Sequence, residues 1–145
     1  MVRKLRIIPD VVQDQELATL SPDDTVADAA ALMAGRRLGA VMVVERGRLA
    51  GIFTERDMVS RVVAAGRDPG ATALAQVMTP DPDTLEPGDF AREALQRMAA
   101  KGYRHLPVVE NGRPVGMVSV RDLYALVVDR LEHSIVRMAE RMMMG

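Results

Sequence analysis

"GIFTERD" occupies residues 51–57 and "GMVSVRD" occupies residues 116–122. Both run glycine, two apolar residues, a hydroxyl residue, two further residues and aspartate. The agreement spreads outward from them. An ungapped shift of 65 positions lays residues 11–63 over residues 76–128 and matches Pro22 with Pro87, Asp24 with Asp89, Met33 with Met98, Gly47 with Gly112, Gly51 with Gly116 and Asp57 with Asp122. Self-similarity at a fixed offset marks an internal duplication. Two copies are too few for a solenoid, but they suit a pair related by a pseudo-two-fold axis.

Each copy reads strand, helix, strand, strand, helix. A short extended piece ("LATL", "DTL") leads into a helix start at Ser21-Pro22-Asp23-Asp24 in copy one and at Glu86-Pro87-Gly88-Asp89 in copy two. Acidic residues and proline suit a first helical turn. Val26, Ala29, Ala30 and Met33, and in copy two Ala91, Ala94, Leu95 and Met98, then follow the spacing of one helix face. Apolar runs flanking "ERGR" and "ENGR" predict hairpins, and Asn111-Gly112 is a strong tight-turn signal. A second helix begins at the repeated phrase. "AAGRDPGATALA" joins the copies as a Gly/Pro-bearing connector.

The phrase has two readings. In one it is a capping box: Thr54 and Ser119 cap a helix, and Asp57 and Asp122 reach back to the cap's amide. Gly51 and Gly116 then mark a bulge or close backbone packing. In the other reading the same corner takes a ligand. Glycine admits close approach, and the helix start offers free amides and a positive dipole end to an anion. The hydroxyl adds a hydrogen bond to phosphate, and the carboxylate accepts from a ribose diol. Phosphate and ribose together describe a nucleotide.

The duplication, the element order and the repeated phrase resemble a tandem pair of cystathionine-β-synthase-type (CBS) domains, a Bateman module. The stretch "VMTPDPDTLEPGDFAREALQRMAAKGYRHLPVVENGRPVGMVSVRDL", residues 77–123, is similar to a typical second copy. The resemblance covers about residues 8–130 and implies an α+β fold of two β-α-β-β-α repeats about a pseudo-two-fold axis. Repeat one is expected over 8–66, a linker over 67–75, repeat two over 76–130 and a helical tail over 131–145. The resemblance implies two clefts between the repeats. They would take AMP, ADP or ATP, or alternatively NAD(H) or S-adenosylmethionine, as regulatory ligands rather than required cofactors. It puts Asp57 and Thr54 in one cleft and Asp122 and Ser119 in the other, with the second favoured. It also implies adenine contacts from Val77, Met78 and Thr79, and phosphate contacts from Arg104 and His105. Arg37 and Lys101 are weaker phosphate candidates and read better as solvated surface. Arg56 and Arg121 also match across the copies and read as local surface pairs. Asp14, where copy two has Thr79, would repel a phosphate or pair with a base edge.

Composition narrows the alternatives. Net charge is −1, so no basic field for nucleic acid or an anionic membrane is expected. There are two Phe, two Tyr and no Trp, which argues against base-stacking platforms. Zero cysteines exclude disulfides, thiol catalysis and zinc–thiolate sites, and two histidines make a histidine metal site unexpected. No apolar run approaches a membrane span, and "MVRKLRIIPD" lacks the apolar core of a secretory signal. A cytoplasmic location follows as the default. No nucleophile–base pair or P-loop is visible, so the expectation is a regulatory module and not an enzyme.

The last helix is expected to run on. Tyr124, Val128, Leu131, Ile135, Met138 and Met142 alternate in spacings of four and three, an a/d seam. It packs either on its own module or on a partner chain. Met142, Met143 and Met144 read as adaptable packing, and His133 as a surface or seam residue. The expected assembly is a homodimer, with a separate target protein as a further partner. The rival reading is a ligand-independent association module.

Overall fold

The computed structural model describes residues 4–144. Its elements are β1 (Thr19–Leu20), α1 (Val26–Arg36), β2 (Ala40–Glu45), β3 (Arg48–Thr54), α2 (Glu55–Asp57), α3 (Leu74–Val77), β4 (Thr79–Pro80), α4 (Ala91–Lys101), β5 (His105–Glu110), β6 (Arg113–Ser119) and α5 (Val120–Met144). Met58–Val63 continues α2 as a π-type turn, and Pro69–Ala71 is a single 3₁₀ turn within the connector.

The expected element order holds in copy one; in copy two the first strand, expected at "DTL", is reduced to an isolated parallel bridge, Leu85↔Val108, and in both copies the first helices start later than the sequence suggests. The Ser21 amide donates to Asp24 Oδ2 (2.7 Å), and the Glu86 amide donates to Asp89 Oδ2 (2.8 Å). These carboxylates close a turn ahead of the helix and leave capping to a later residue. In α1 that residue is Thr25, which forms a capping box with Asp28. Phe90 precedes α4 without a side-chain cap, and the first α4 amide, of Ala91, donates to Leu5 O (2.8 Å).

The hairpins match each other closely. β2 pairs antiparallel with β3, and β5 with β6. Both turns place two residues at positive φ, Arg46 (54°) with Gly47 (79°) and Asn111 (54°) with Gly112 (78°). This backbone matches the twist of the flanking strands. Both hairpins shift register at the same place, after Val43↔Gly51 and after Val108↔Gly116.

The two cores are not divided where the repeats are. Core one gathers Val26, Met33, Val43 and Phe53 from repeat one, together with Leu74 and Val77. Core two gathers Leu85, Met98, Leu106 and Leu123 from repeat two, together with Ile7 and Val12. Each repeat thus receives a segment that lies outside it or at its edge in sequence. β4 joins the sheet of repeat one beside β3, with Gly51↔Pro80 and Ile52↔Thr79. The boundaries 8–66, 67–75 and 76–130 describe the duplication in sequence, not the packing. Leu74 and Ile7 are fully buried. Each such side chain contributes about 1.5–3 kcal/mol relative to exposure, so the exchange ties the halves together.

α5 is one continuous helix of 25 residues, and Leu123 is its buried residue. The seam does not pack in cis: Tyr124, Val128, Leu131, Ile135, Met138 and Met142 are all exposed, from 52% to 81%. Gly145 of the expected tail lies outside the described residues, as do Met1–Arg3. Among the described residues no helix is long and apolar enough to cross a membrane.

Candidate functional site

The corners β3–α2 and β6–α5 bring the two copies of the phrase to one place. Each helix start is tied to the opening of its own hairpin. The Glu55 amide donates to Gly39 O (3.0 Å), and the Val120 amide donates to Arg104 O (2.8 Å). Between the corners lies a single cleft of about 890 Å³. The two clefts that the resemblance implies are one continuous space here. Thr54, Asp57, Ser119, Asp122, Arg104, His105 and Thr79 all line it.

The capping-box geometry is realised at both corners. The Asp57 amide donates to Thr54 Oγ1 (3.2 Å), and Asp57 Oδ2 accepts from the Thr54 amide (3.0 Å) and hydroxyl (3.1 Å). The Asp122 amide donates to Ser119 Oγ (3.1 Å), and Asp122 Oδ2 accepts from the Ser119 amide (2.8 Å). Capping uses Oδ2 and leaves Oδ1 to other partners, so it does not exclude ligand binding. A carboxylate has about four acceptor positions.

The glycines of the phrase serve the fold. A Cβ on Gly51 would lie 2.6 Å from Met78 Sδ and 2.8 Å from Thr79 O, and one on Gly116 would lie 3.1 Å from Gln15 Oε1. What approaches these glycines is the exchanged segment and not a ligand, and both sit at the hairpin bulges.

Beyond the caps the corners differ. At Asp57, Arg61 sits one turn along the chain, with Nε 3.6 Å from Oδ1. Its Nη1 donates to Met78 O (2.8 Å) and Val77 O (3.3 Å). The residue matching Arg61 in copy two is Leu126, and among the described residues Asp122 Oδ1 has no hydrogen-bond partner. The strand neighbours differ as well. β3 is flanked by the backbone of β4. At β6 the side chain of Gln15 takes that place, its Nε2 donating to Met117 O (2.9 Å) and its Oε1 accepting from the Met117 amide (2.8 Å).

Val77–Thr79 therefore stands beside the Asp57 corner and not beside Asp122. The Val77 side chain is buried in core one, and Met78 packs against the same core. Thr79 is the member of the trio that lines the cleft. Asp14 lies outside the main cleft, at φ 49°, and lines a hollow of about 230 Å³ with Gln13 and Val115.

His105 crosses between the repeats. A Cβ on Gly39 would lie 3.0 Å from its Cε1 and 3.2 Å from its Nε2. Burial pushes the His105 pKa below its ordinary value, Arg104 pushes the same way, and Glu55 and Asp122 oppose. The shift favours the neutral ring, which carries a hydrogen-bond donor and an acceptor into the cleft. The positive charge on the cleft comes from Arg36 and Arg61, both bonded to backbone carbonyls, and from four more arginines, Arg104, Arg37, Arg56 and Arg121. None of these four forms an ion pair among the described residues, so Arg56 and Arg121 are not the local surface pairs expected of them. Lys101 instead bonds Asp83 at 2.9 Å on the surface. Arg61, Gln15 and Gly39 were not legible as site residues. The one available signal was Arg61 standing opposite Leu126 when the copies are aligned.

The CBS domain model matches residues 6–64 and 74–129. The CBS domain-containing protein YhcV of Bacillus subtilis is 40% identical over 108 residues, covering 74% of this chain and 76% of that protein. The chain also matches CBSCBSPB2 of Arabidopsis thaliana at 36% identity over 132 residues, but spans 23% of that longer protein. Among solved structures, a CBS-domain protein from Burkholderia ambifaria MC40-6 superposes with a TM-score of 0.79 at 32% identity, covering 84% of this chain and 93% of that one. PAE2072 from Pyrobaculum aerophilum, solved in complex with AMP, superposes with a TM-score of 0.72 at 27% identity, covering 81% and 92%. The duplicated corners, the shared cleft and two matches to one family model have a single explanation: the chain belongs to the CBS-domain family, as a tandem pair of CBS repeats.

Proposed function

We propose that the chain is a regulatory module that binds an adenine nucleotide, AMP, ADP or ATP, in the cleft between its repeats. The observation that carries this reading is the pairing of two hydroxyl–carboxylate corners across one arginine-rimmed cleft. The AMP complex of the similar Pyrobaculum protein supports it. The ribose diol donates to the carboxylate oxygens that capping leaves available. The phosphate meets a helix start, the Ser119 or Thr54 hydroxyl, and Arg104. Aliphatic side chains such as Met42, Ile52 and Met117 on the cleft wall cover the base.

A ligand held between the repeats contacts both and favours the relative orientation it fits best. That differential affinity is what makes a switch. The chain acts as a cytoplasmic sensor for a separate target, not as a catalyst. Titration calorimetry with AMP, ADP, ATP, NADH and S-adenosylmethionine tests the reading. Saturable heat with at least one supports it. No heat, and no concentration-dependent rise in melting temperature with any of them, refutes it.

The second reading, association without a ligand, rests on the outer helices. Val59 and Val63 are exposed at 63% and 68%, and their counterparts in copy two, Tyr124 and Val128, at 57% and 52%. These side chains and the α5 seam are exposed apolar surface that needs cover, and a homodimer supplies it. Sedimentation of the apo protein separates the readings: a dimer indifferent to every nucleotide favours association alone.

A further inference from the structure

We propose that Arg61 closes the Asp57 corner, so that the cleft takes one nucleoside per chain, at Asp122. The inference rests on the nucleotide reading above and adds the residue that makes the two corners unequal.

Three observations carry it. First, Asp57 is spent. Its Oδ2 accepts two hydrogen bonds from Thr54, its Oδ1 faces the Arg61 guanidinium, and the residue is 7% exposed. Second, Arg61 is anchored away from its own helix. Its Nη1 bonds the carbonyls of Met78 and Val77 on the exchanged segment, so one guanidinium joins the carboxylate to the strand edge a base would meet. Diol hydroxyls are neutral donors and compete here for an oxygen that already faces a full positive charge. Third, the other corner lacks the device. Leu126 stands where Arg61 would be and has no donor. Among the described residues Asp122 Oδ1 has no hydrogen-bond partner, and no side chain donates to the carbonyls of Val12 or Gln13, the counterparts of Val77 and Met78. The duplication therefore preserved both caps and one accessible acceptor set.

Calorimetric titration of AMP into the full chain tests this through stoichiometry. Wild type is expected to bind one AMP per chain. Arg61→Leu, which copies the Leu126 corner, is expected to bind two. The reciprocal Leu126→Arg is expected to weaken AMP by about tenfold or more, the loss of a charge-assisted contact. Circular dichroism melts confirm that each variant is folded, and Leu126→Arg gives a readout independent of whether Arg61→Leu tolerates the change. Two AMP per wild-type chain, or one per folded Arg61→Leu chain with Leu126→Arg unaffected, overturns the inference while leaving the nucleotide reading intact. No AMP binding by wild type or by Arg61→Leu overturns this inference, and the nucleotide reading falls with it only when the other four ligands also give no heat.

Discussion

The Asp57 and Asp122 corners share their local chemistry and differ in their surroundings. Both carry a hydroxyl cap, a carboxylate that reaches back to it, and a glycine facing an exchanged segment. At Asp57 that segment pairs through its backbone and Arg61 locks the carboxylate to it. At Asp122 a glutamine side chain does the pairing, and among the described residues the carboxylate forms no ion pair. Duplication thus conserved what the fold needs at each corner, the cap and the close approach. The groups around each carboxylate, which the proposal makes decisive for ligand access, diverged.

The largest expected effect tests whether the exchange of segments supports both halves alike. Leu74 and Ile7 are each fully buried in the core of the opposite half. Leu74→Ala and Ile7→Ala are expected to cost about 2–5 kcal/mol each in chemical denaturation. A cost under about 1 kcal/mol for either would show that its half does not depend on the exchanged segment.

Next in size is the contrast between the carboxylates. Asp122→Ala removes a charge-assisted contact worth about 1.5–3 kcal/mol, a ten- to hundredfold loss of AMP affinity. Equal losses in Asp122→Ala and Asp57→Asn would erase the difference between the corners.

Smaller again is the effect at Gln15. Its two hydrogen bonds to Met117 replace the backbone ladder that β4 gives β3. Gln15→Ala is expected to destabilise by about 1–3 kcal/mol, with faster hydrogen exchange at the Met117 amide and not at Ile52. Unchanged exchange at Met117 would remove the equivalence.

The smallest effect is that of pH at His105. Its pKa is lowered in the folded state, chiefly by burial, so the unfolded chain holds the proton more readily. This contribution to stability is in place above the unfolded value of about 6.5. It is lost as pH falls from there to the folded pKa and is constant below it. His105→Gln is expected to flatten that part of the melting-temperature profile. A profile unchanged by the substitution would contradict a half-buried ring held toward its neutral form.

The sequence made the repeat, the hairpins and the caps readable, because each is written in residues a few positions apart. Asn111-Gly112 and the paired Ser/Thr–Asp signals needed no tertiary context. The helix starts were displaced because Asp24 and Asp89 serve turns as readily as first helical positions. The exchange of Leu74–Pro80 and Ile7–Gln15 was not readable. An offset of 65 aligns each segment with its counterpart but does not say on which hairpin it packs. For that reason Val77–Thr79, which lead into copy two in sequence, stand in the fold beside Asp57 of copy one. Arg61 was passed over because a lone arginine on a helix reads as surface, and only the carbonyls of a segment 16 and 17 positions away give it a role.

A crystal structure of the protein grown with saturating AMP tests the central claim most directly. The account predicts one AMP per chain, with both ribose hydroxyls within hydrogen-bond distance of Asp122, its phosphate toward Arg104, and Arg61 still joined to Asp57 and Met78. An unoccupied cleft with both carboxylates bonded only to their own caps would contradict it.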